Sequence, residues 1–134
     1  MSAAASEGIE ILAPISAGEL IDKITILEIK AERITDAAKR ANVLRELTAL
    51  SALRDSHALG TLTELAASLK AVNETLWVVE DDLRDLERDQ RFDATFIALA
   101  RQVYVTNDRR AALKREINLA VGSAIIEEKS YAGS

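Results

Sequence analysis

The chain has 134 residues, a net charge of −5 and no cysteine, with hydrophobic and charged fractions of 49% and 29%. That length fits one domain over residues 1–134, and without cysteine there is neither a disulfide framework nor a thiolate zinc site. The negative charge argues against a nucleic-acid surface, and no apolar run is long enough to span a bilayer. We therefore expect a cytoplasmic protein that binds neither nucleic acid nor membrane.

Helix is the default expectation, because one Pro, five Gly and 4% aromatic residues are few for a β fold rich in turns. Residues 1–15 are predicted to be an extended or disordered lead-in. Within it, residues 9–15 alternate weakly between apolar and polar side chains, as one short strand would.

The first helix is predicted to begin after Ser16, because Ser16 and Glu19 have the spacing of a capping box. In that motif each side chain accepts a hydrogen bond from the other residue's backbone amide. The second helix is predicted to be capped by Thr35 or Asp36 and to run to about Asp55, with an inner face of Ala41, Leu44, Leu47 and either Leu50 or Ser51. An apolar stripe on the first helix is formed by Leu20, Ile24, Leu27, Ala31 and Ile34.

The third helix is predicted over residues 61–90, and Thr61 with Glu64 matches a second capping box. It carries the most regular pattern in the chain, with apolar residues that alternate between spacings of three and four. That pattern predicts a heptad seam formed by Leu62, Leu65, Leu69, Val72, Leu76, Val79, Leu83 and Leu86.

The fourth helix is predicted to begin at Asp93, with Phe92 as a hydrophobic staple, and to end before Gly122. Residues 123–134 form a C-terminal tail that is expected to pack back onto the helices. The fold class is therefore all-α: a four-helix bundle of two antiparallel hairpins, in which helices three and four are long and coiled-coil-like. The inner stripe of helix four is Phe96, Leu99, Val103, Leu113, Ile117 and Val121.

Helix four also places polar side chains on or beside this stripe. If the hairpin turns near residue 91, they lie level with polar side chains on one flank of the heptad seam. The candidate ligand-binding residues are Asn73, Trp77 and Glu80 on helix three, and Asn107, Arg110, Lys114 and Asn118 on helix four.

A guanidinium buried without a partner costs several kcal/mol, so we expect Arg110 to meet an acid or to open to solvent or ligand. Three interpretations are open at this point. The polar residues form a solvated flank with surface ion pairs, a buried network that fixes helix register, or a site for an anionic ligand. The candidate acids are Glu28, Glu80, Asp81, Glu127 and Glu128.

The first helix has a second stripe opposite the Leu20 stripe. A helix that is apolar on two sides is either central in its domain or at an interface. We predict a homodimer, with candidate interface residues Asp22, Ile26, Ile29 and Arg33.

The sequence matches the active-site motifs of known all-helical enzymes poorly. A di-iron bundle needs Glu-x-x-His pairs, but the only histidine, His57, falls in a predicted loop. Magnesium-dependent pyrophosphohydrolases use paired acidic motifs. Glu19-x-x-Asp22 and Asp82-x-x-Asp85 match these motifs only in part. A chorismate-mutase-like site is matched only by the composition of helix four. We therefore predict no catalytic residue, metal or cofactor, and favour binding over catalysis.

Two strings are distinctive, Thr-Asn-Asp-Arg-Arg at 106–110 and Glu-Glu-Lys-Ser-Tyr at 127–131. Together with residues 15–30, 71–77 and 80–82, they resemble a bacterial and phage family, domain of unknown function 6165. The resemblance covers residues 12–131, carries no established activity, and implies a link to surface-polysaccharide metabolism.

The sequence thus predicts a helical binding or scaffolding module that self-associates. The alternative is a small-molecule-binding or enzymatic bundle that recognises a phosphate- or carboxylate-bearing ligand.

Overall fold

The computed structural model describes residues 8–130. Residues 1–7 of the predicted lead-in and residues 131–134 of the predicted tail, including Tyr131, lie outside the described residues. The all-α prediction is confirmed, since the described part of the chain folds into a bundle of helices and contains no strand. None of these helices is long and apolar enough to cross a membrane. The helices are α1 (Ala17–Arg33), α2 (Ala37–Ser56), α3 (Thr63–Arg88) and α4 (Ala94–Val121), with a 3-10 turn (Leu59–Thr61) before α3.

Three helices begin at side-chain caps that the sequence predicts. Ser16 Oγ accepts a hydrogen bond from the Glu19 amide at 3.0 Å, and an Asp36 carboxylate oxygen accepts one from the Lys39 amide at 2.9 Å. Asp93 Oδ1 accepts hydrogen bonds from the backbone amides of Thr95 and Phe96 at the start of α4. These bonds satisfy amides that have no partner inside the helix, so each helix start is stabilised locally.

Two other predicted termini have different outcomes. Gly122 ends α4 in the left-handed region, at φ 66°, as predicted for a residue without a Cβ. The capping box predicted at Thr61 does not form, because Thr61 closes the 3-10 turn and Leu62 stands at the cap position of α3. No side chain caps α3, so this prediction is wrong.

Helix α1 is the central helix and packs against all three others. Its predicted stripe is buried at Leu20, Ile24 and Leu27, and Ile29 on the opposite side and Ile21 between the two sides are buried as well. The two apolar sides of α1 are therefore explained by its position inside the chain. The main core cluster combines α1 with α3 and α4, and consists of Ile21, Leu69, Val72, Leu113 and Ile117.

Helix α2 lies outside this core and packs mainly against α1. Val43 is its one buried residue, whereas Leu44, on the predicted inner face, is 37% exposed. A helix that packs mainly against one neighbour buries a narrow strip. The predicted inner face is half-buried at Leu47, Leu50 and Ser51 but exposed at Ala41 and Leu44, where Val43 is buried instead.

Helices α3 and α4 share the largest helix-to-helix contact in the structure. All eight residues of the predicted heptad seam on α3 are buried or half-buried, and Leu69 is fully enclosed. The antiparallel hairpin and the coiled-coil geometry of this pair stay predictions. After α4, the described part of the tail has no regular secondary structure and joins α4 through three ion pairs, Glu127 with Lys114, Glu128 with Arg115, and Lys129 with Asp108.

We expect Leu69→Ala to lower the free energy of unfolding by about 2–5 kcal/mol, because Leu69 is fully enclosed and truncation leaves a cavity. Leu119→Ala is the matched control, since Leu119 is 61% exposed and its loss should stay within about 0.5 kcal/mol. Urea denaturation measures both values. Equal losses in the two variants would contradict the placement of Leu69 in the core.

Candidate functional site

The N-terminus of α1 docks onto the C-terminal end of α4. The Ala17 amide donates to Ser123 Oγ at 3.1 Å, and the Gly18 amide donates to Asn118 Oδ1 at 2.6 Å. A Cβ on Gly18 would lie 2.4 Å from the carbonyl oxygen of Lys114, so only glycine fits at this contact. Asn118, predicted to bind a ligand, is 2% exposed and instead caps α1. The sequence did not reveal this role for Gly18 or Ser123.

One turn of α4 earlier, Lys114 is buried between two carboxylates. Its Nζ lies 2.8 Å from Glu19 Oε2 and 3.3 Å from Glu127 Oε1. Burial lowers the pKa of Lys114, but the hydrogen bonds and negative charges of its neighbours outweigh burial and hold the pKa above its usual value. Glu19 therefore pairs with Lys114 rather than completing the predicted capping box with Ser16.

The centre of the site is Asp22 on α1, whose side chain is completely buried. Asp22 Oδ1 accepts hydrogen bonds from Asn73 Nδ2 and Arg110 Nε, each at 2.9 Å, and Asp22 Oδ2 accepts from Arg110 Nη2. Asn73 Nδ2 also donates to Thr25 Oγ1 at 2.9 Å. This network joins α1, α3 and α4 at one level of the bundle.

Both charges of the Asp22 and Arg110 pair are stabilised. Burial alone raises the pKa of Asp22, but hydrogen bonds from Arg110 and Asn73, and the positive charges of Arg110 and Lys114, bring this pKa below its ordinary value. The hydrogen bond to Asp22 raises the pKa of Arg110 further above its usual range. The pair is therefore ionised at neutral pH.

The acid that meets Arg110 is not among the five that the sequence suggested. Asp22 was assigned to the interface stripe, because the pattern of α1 alone does not show which side faces α4. A usable signal was present: Asp22 is an acid flanked by apolar positions, and such an acid needs a cation from elsewhere in the fold. The geometry corresponds to the buried-network interpretation of the polar residues.

Two surface grooves meet at Asn107 and Arg110. The first, called here the polar groove, lies between α1, α3 and α4 and has a volume of about 420 Å³. The second, the tail groove, lies between α4, Glu19 and the tail, and Lys114 lines it. The polar groove gathers five of the seven candidate ligand-binding residues, namely Asn73, Trp77, Glu80, Asn107 and Arg110.

The four candidate interface residues are in different environments. Asp22 and Ile29 are buried by the chain's own helices, and Ile26 is half-buried in the wall of the polar groove. Arg33 is exposed, with its guanidinium carbon 5.9 Å from the centre of a Trp77 ring. A dimer through this stripe stays a prediction, and the folded chain offers mainly Ile26 and Arg33 to a partner.

Comparison with known proteins assigns the chain to a family. The sequence profile of the Family of unknown function (DUF6165) matches residues 11–134, and the chain belongs to this family. No curated protein and no solved structure matches the chain. Within residues 8–130, no group of three or more His, Cys, Asp or Glu side chains is placed to hold a metal ion.

Removing one member of the buried pair should destabilise the protein more than removing both charges. We expect Arg110→Met to lower the free energy of unfolding by about 3–5 kcal/mol, because Asp22 is left buried without a cation. The double variant D22N/R110M should lose less, since no uncompensated charge remains. Arg109→Met, at the exposed neighbouring position, is the control. Equal losses in the single and double variants, measured by urea denaturation, would show that the charges are not coupled.

The lowered pKa of Asp22 predicts an acid dependence of stability. Because the folded carboxyl group binds a proton less readily than the unfolded one, whose ordinary value is 3.8, acid favours the unfolded chain. The stability contributed by this carboxylate is complete above that value and is lost as pH falls through the folded pKa. The difference in unfolding free energy between wild type and Asp22→Asn should therefore shrink from about pH 6 to about pH 2. A difference that stays constant over this range would argue against the prediction.

Proposed function

We propose that this protein is a helical binding module whose polar groove takes a small hydroxylated molecule with one phosphate or carboxylate group. The observation that carries the proposal is the position of Arg110. Its guanidinium is anchored on one edge by the buried Asp22, and Arg110 also lines the polar groove. The residues that line the polar groove come from three helices, α1, α3 and α4.

Arg110 is preorganised to bind an anion. Its Nε and Nη2 are taken by Asp22, whereas Nη1 makes only a long hydrogen bond of 3.4 Å to Asn107 Oδ1 within the described residues. The side chain is 29% exposed, so a ligand can reach it. Because Asp22 already holds the planar guanidinium in place, little side-chain entropy is lost when an oxyanion binds.

The walls of the polar groove suit a small organic molecule. Ile26, Leu76 and the half-buried Trp77 form an apolar side, and Asn73 and Asn107 place amides near Arg110. A volume of about 420 Å³ lies in the range of small-molecule sites, which combine apolar walls with a few polar groups.

Charge balance limits the ligand to one anionic group. The groove contains the cations Arg84 and Arg110, but Glu80 and Asp81 line it as well, and Glu80 pairs with Arg84 at 3.8 Å. A polyanion would be repelled by these carboxylates, whereas hydroxyl groups can donate hydrogen bonds to them. Sugar phosphates and sugar acids have this chemistry, and they suit the link to surface-polysaccharide metabolism that the family resemblance implies.

The test is a thermal-shift and calorimetric screen with glucose 6-phosphate, glucuronate, inorganic phosphate and glucose. We expect an anionic sugar to stabilise the wild type by about 2.7 kcal/mol at a concentration near 100 times its Kd. Arg110→Lys keeps a cation beside Asp22 but removes the planar fork, so binding should weaken at least about tenfold.

Arg109→Lys is the matched control, because it makes the same change at an exposed position outside the polar groove. Glucose alone should bind more weakly than the anionic sugars. If none of the anionic compounds stabilises the wild type, or if Arg110→Lys and Arg109→Lys bind equally well, the proposal is wrong.

A further inference from the structure

The segment that precedes α1 projects large apolar side chains into solvent. Residues 8–15, called here the N-terminal arm, have no regular secondary structure. Ile9, Ile11 and Leu12 are 92%, 84% and 86% exposed, more than the other large hydrophobic residues of the described chain. Single exposed apolar residues are ordinary, but three within four consecutive positions, each more than four-fifths exposed, are more than scattered exposure explains.

An apolar cleft of about 710 Å³ lies at the root of this arm, between the start of α1, the end of α2 and the end of α4. Asp, Glu, Lys and Arg make up 29% of the whole chain, yet none of them occurs among the described residues of the cleft wall. The wall consists of Leu12, Ala13, Pro14, Ile15, Ser16, Ala17, Leu20, Leu53, His57, Ala58, Leu59, Val121, Ser123 and Ala124.

The arm of the same chain is poorly suited to fill this cleft. Residues 12–15 of the arm already form part of its wall, so Ile9 could enter only if the chain reversed direction between them. The residues that favour tight turns, Gly8 and Pro14, stand outside positions 9–12. Ile9 and Ile11 are β-branched and favour extended backbone, which opposes such a reversal.

We propose that the N-terminal arm of one chain occupies the apolar cleft of a second copy, and that the exchange is reciprocal. Each chain carries both the apolar arm and the apolar cleft, so two copies related by a two-fold axis satisfy both and form a closed dimer. The proposal is independent of the polar groove and does not use the stripe of Asp22, Ile26, Ile29 and Arg33.

Interface size and charge favour a second copy as the occupant. Each chain contributes the eight residues of the arm and ten further residues of the cleft wall, close to the 20–30 residues per side of standard interfaces. Glu10 is the one charged residue of the arm, and because side chains alternate along an extended segment, Glu10 can stay in solvent while Ile9 and Ile11 face the cleft. The arm can therefore enter the cleft although the whole chain has a net charge of −5.

Analytical ultracentrifugation tests the assembly. We expect a wild-type dimer at about 100 µM, and a dimer Kd raised at least about 30-fold in the arm variant I9S/I11S, which leaves the cleft wall unchanged, and in the cleft variant Leu53→Lys. Both sites are exposed, Leu53 at 41%, so the variants should fold, which circular dichroism checks. I97S/V105S is the control, because these residues are 57% and 59% exposed and lie outside the arm and cleft.

Mixing the two variants tests the exchange itself. An arm variant retains its cleft and a cleft variant retains its arm, so their mixture should form a heterodimer although each alone is monomeric. A monomeric wild type at about 100 µM, or an arm variant with the wild-type Kd, would overturn the proposal.

Cross-linking then identifies the occupant. The chain has no cysteine, so disulfides in the variant I11C/L53C join introduced residues only. The single variants I11C and L53C are the controls, because they can form only the symmetric pairs, and a covalent dimer specific to arm exchange should form in the double variant and in a mixture of the two single variants but in neither single variant alone. Oxidation with oxidised glutathione should give a covalent dimer on a non-reducing denaturing gel. A disulfide within a single chain would show that the cleft holds the chain's own arm, and the absence of any disulfide would show that the arm does not reach it. Either result would refute arm exchange.

Discussion

The arrangement of the helices depends on one buried carboxylate. Asp22 is completely enclosed, and a charge in that environment is tolerated only when a cation and hydrogen-bond donors surround it. Arg110 from α4 and Asn73 from α3 supply both, so the position of α1 is tied to two helices at once. The close contact at Gly18 fixes the start of the same helix, because the backbone of α4 leaves no room there for a side chain.

The same network creates the candidate site. Arg110 belongs both to the buried network and to the protein surface. Its guanidinium neutralises Asp22, and the same side chain lines the polar groove. A residue with both roles is held rigidly, which favours selective recognition of an oxyanion such as a phosphate or carboxylate. The N-terminal arm and its cleft are a separate surface, apolar where the groove is polar, so ligand binding and self-association use different residues of the chain.

The amino-acid sequence by itself determined the helices and most of their ends. The caps at Ser16, Asp36 and Asp93, and the left-handed residue Gly122, depend on hydrogen bonds that span about four residues. Such bonds form wherever the local pattern occurs, so they can be read without knowing the rest of the fold. The periodicity of α3 and α4 likewise indicated which polar side chains share a level, and five of them line one groove.

Only the tertiary structure decided which residues meet across the chain. Asp22 and Arg110 are 88 positions apart, and their pairing depends on where α1 lies against α4, which no local pattern encodes. The burial of Ile29 inside the chain, and the use of Asn118 to cap another helix, follow from the same placement. The cap predicted at Thr61 does not form, because Thr61 belongs to the 3-10 turn before α3. Local hydrogen bonding therefore follows from the sequence, whereas the partners of buried polar groups are set by helix packing, because packing brings distant residues together.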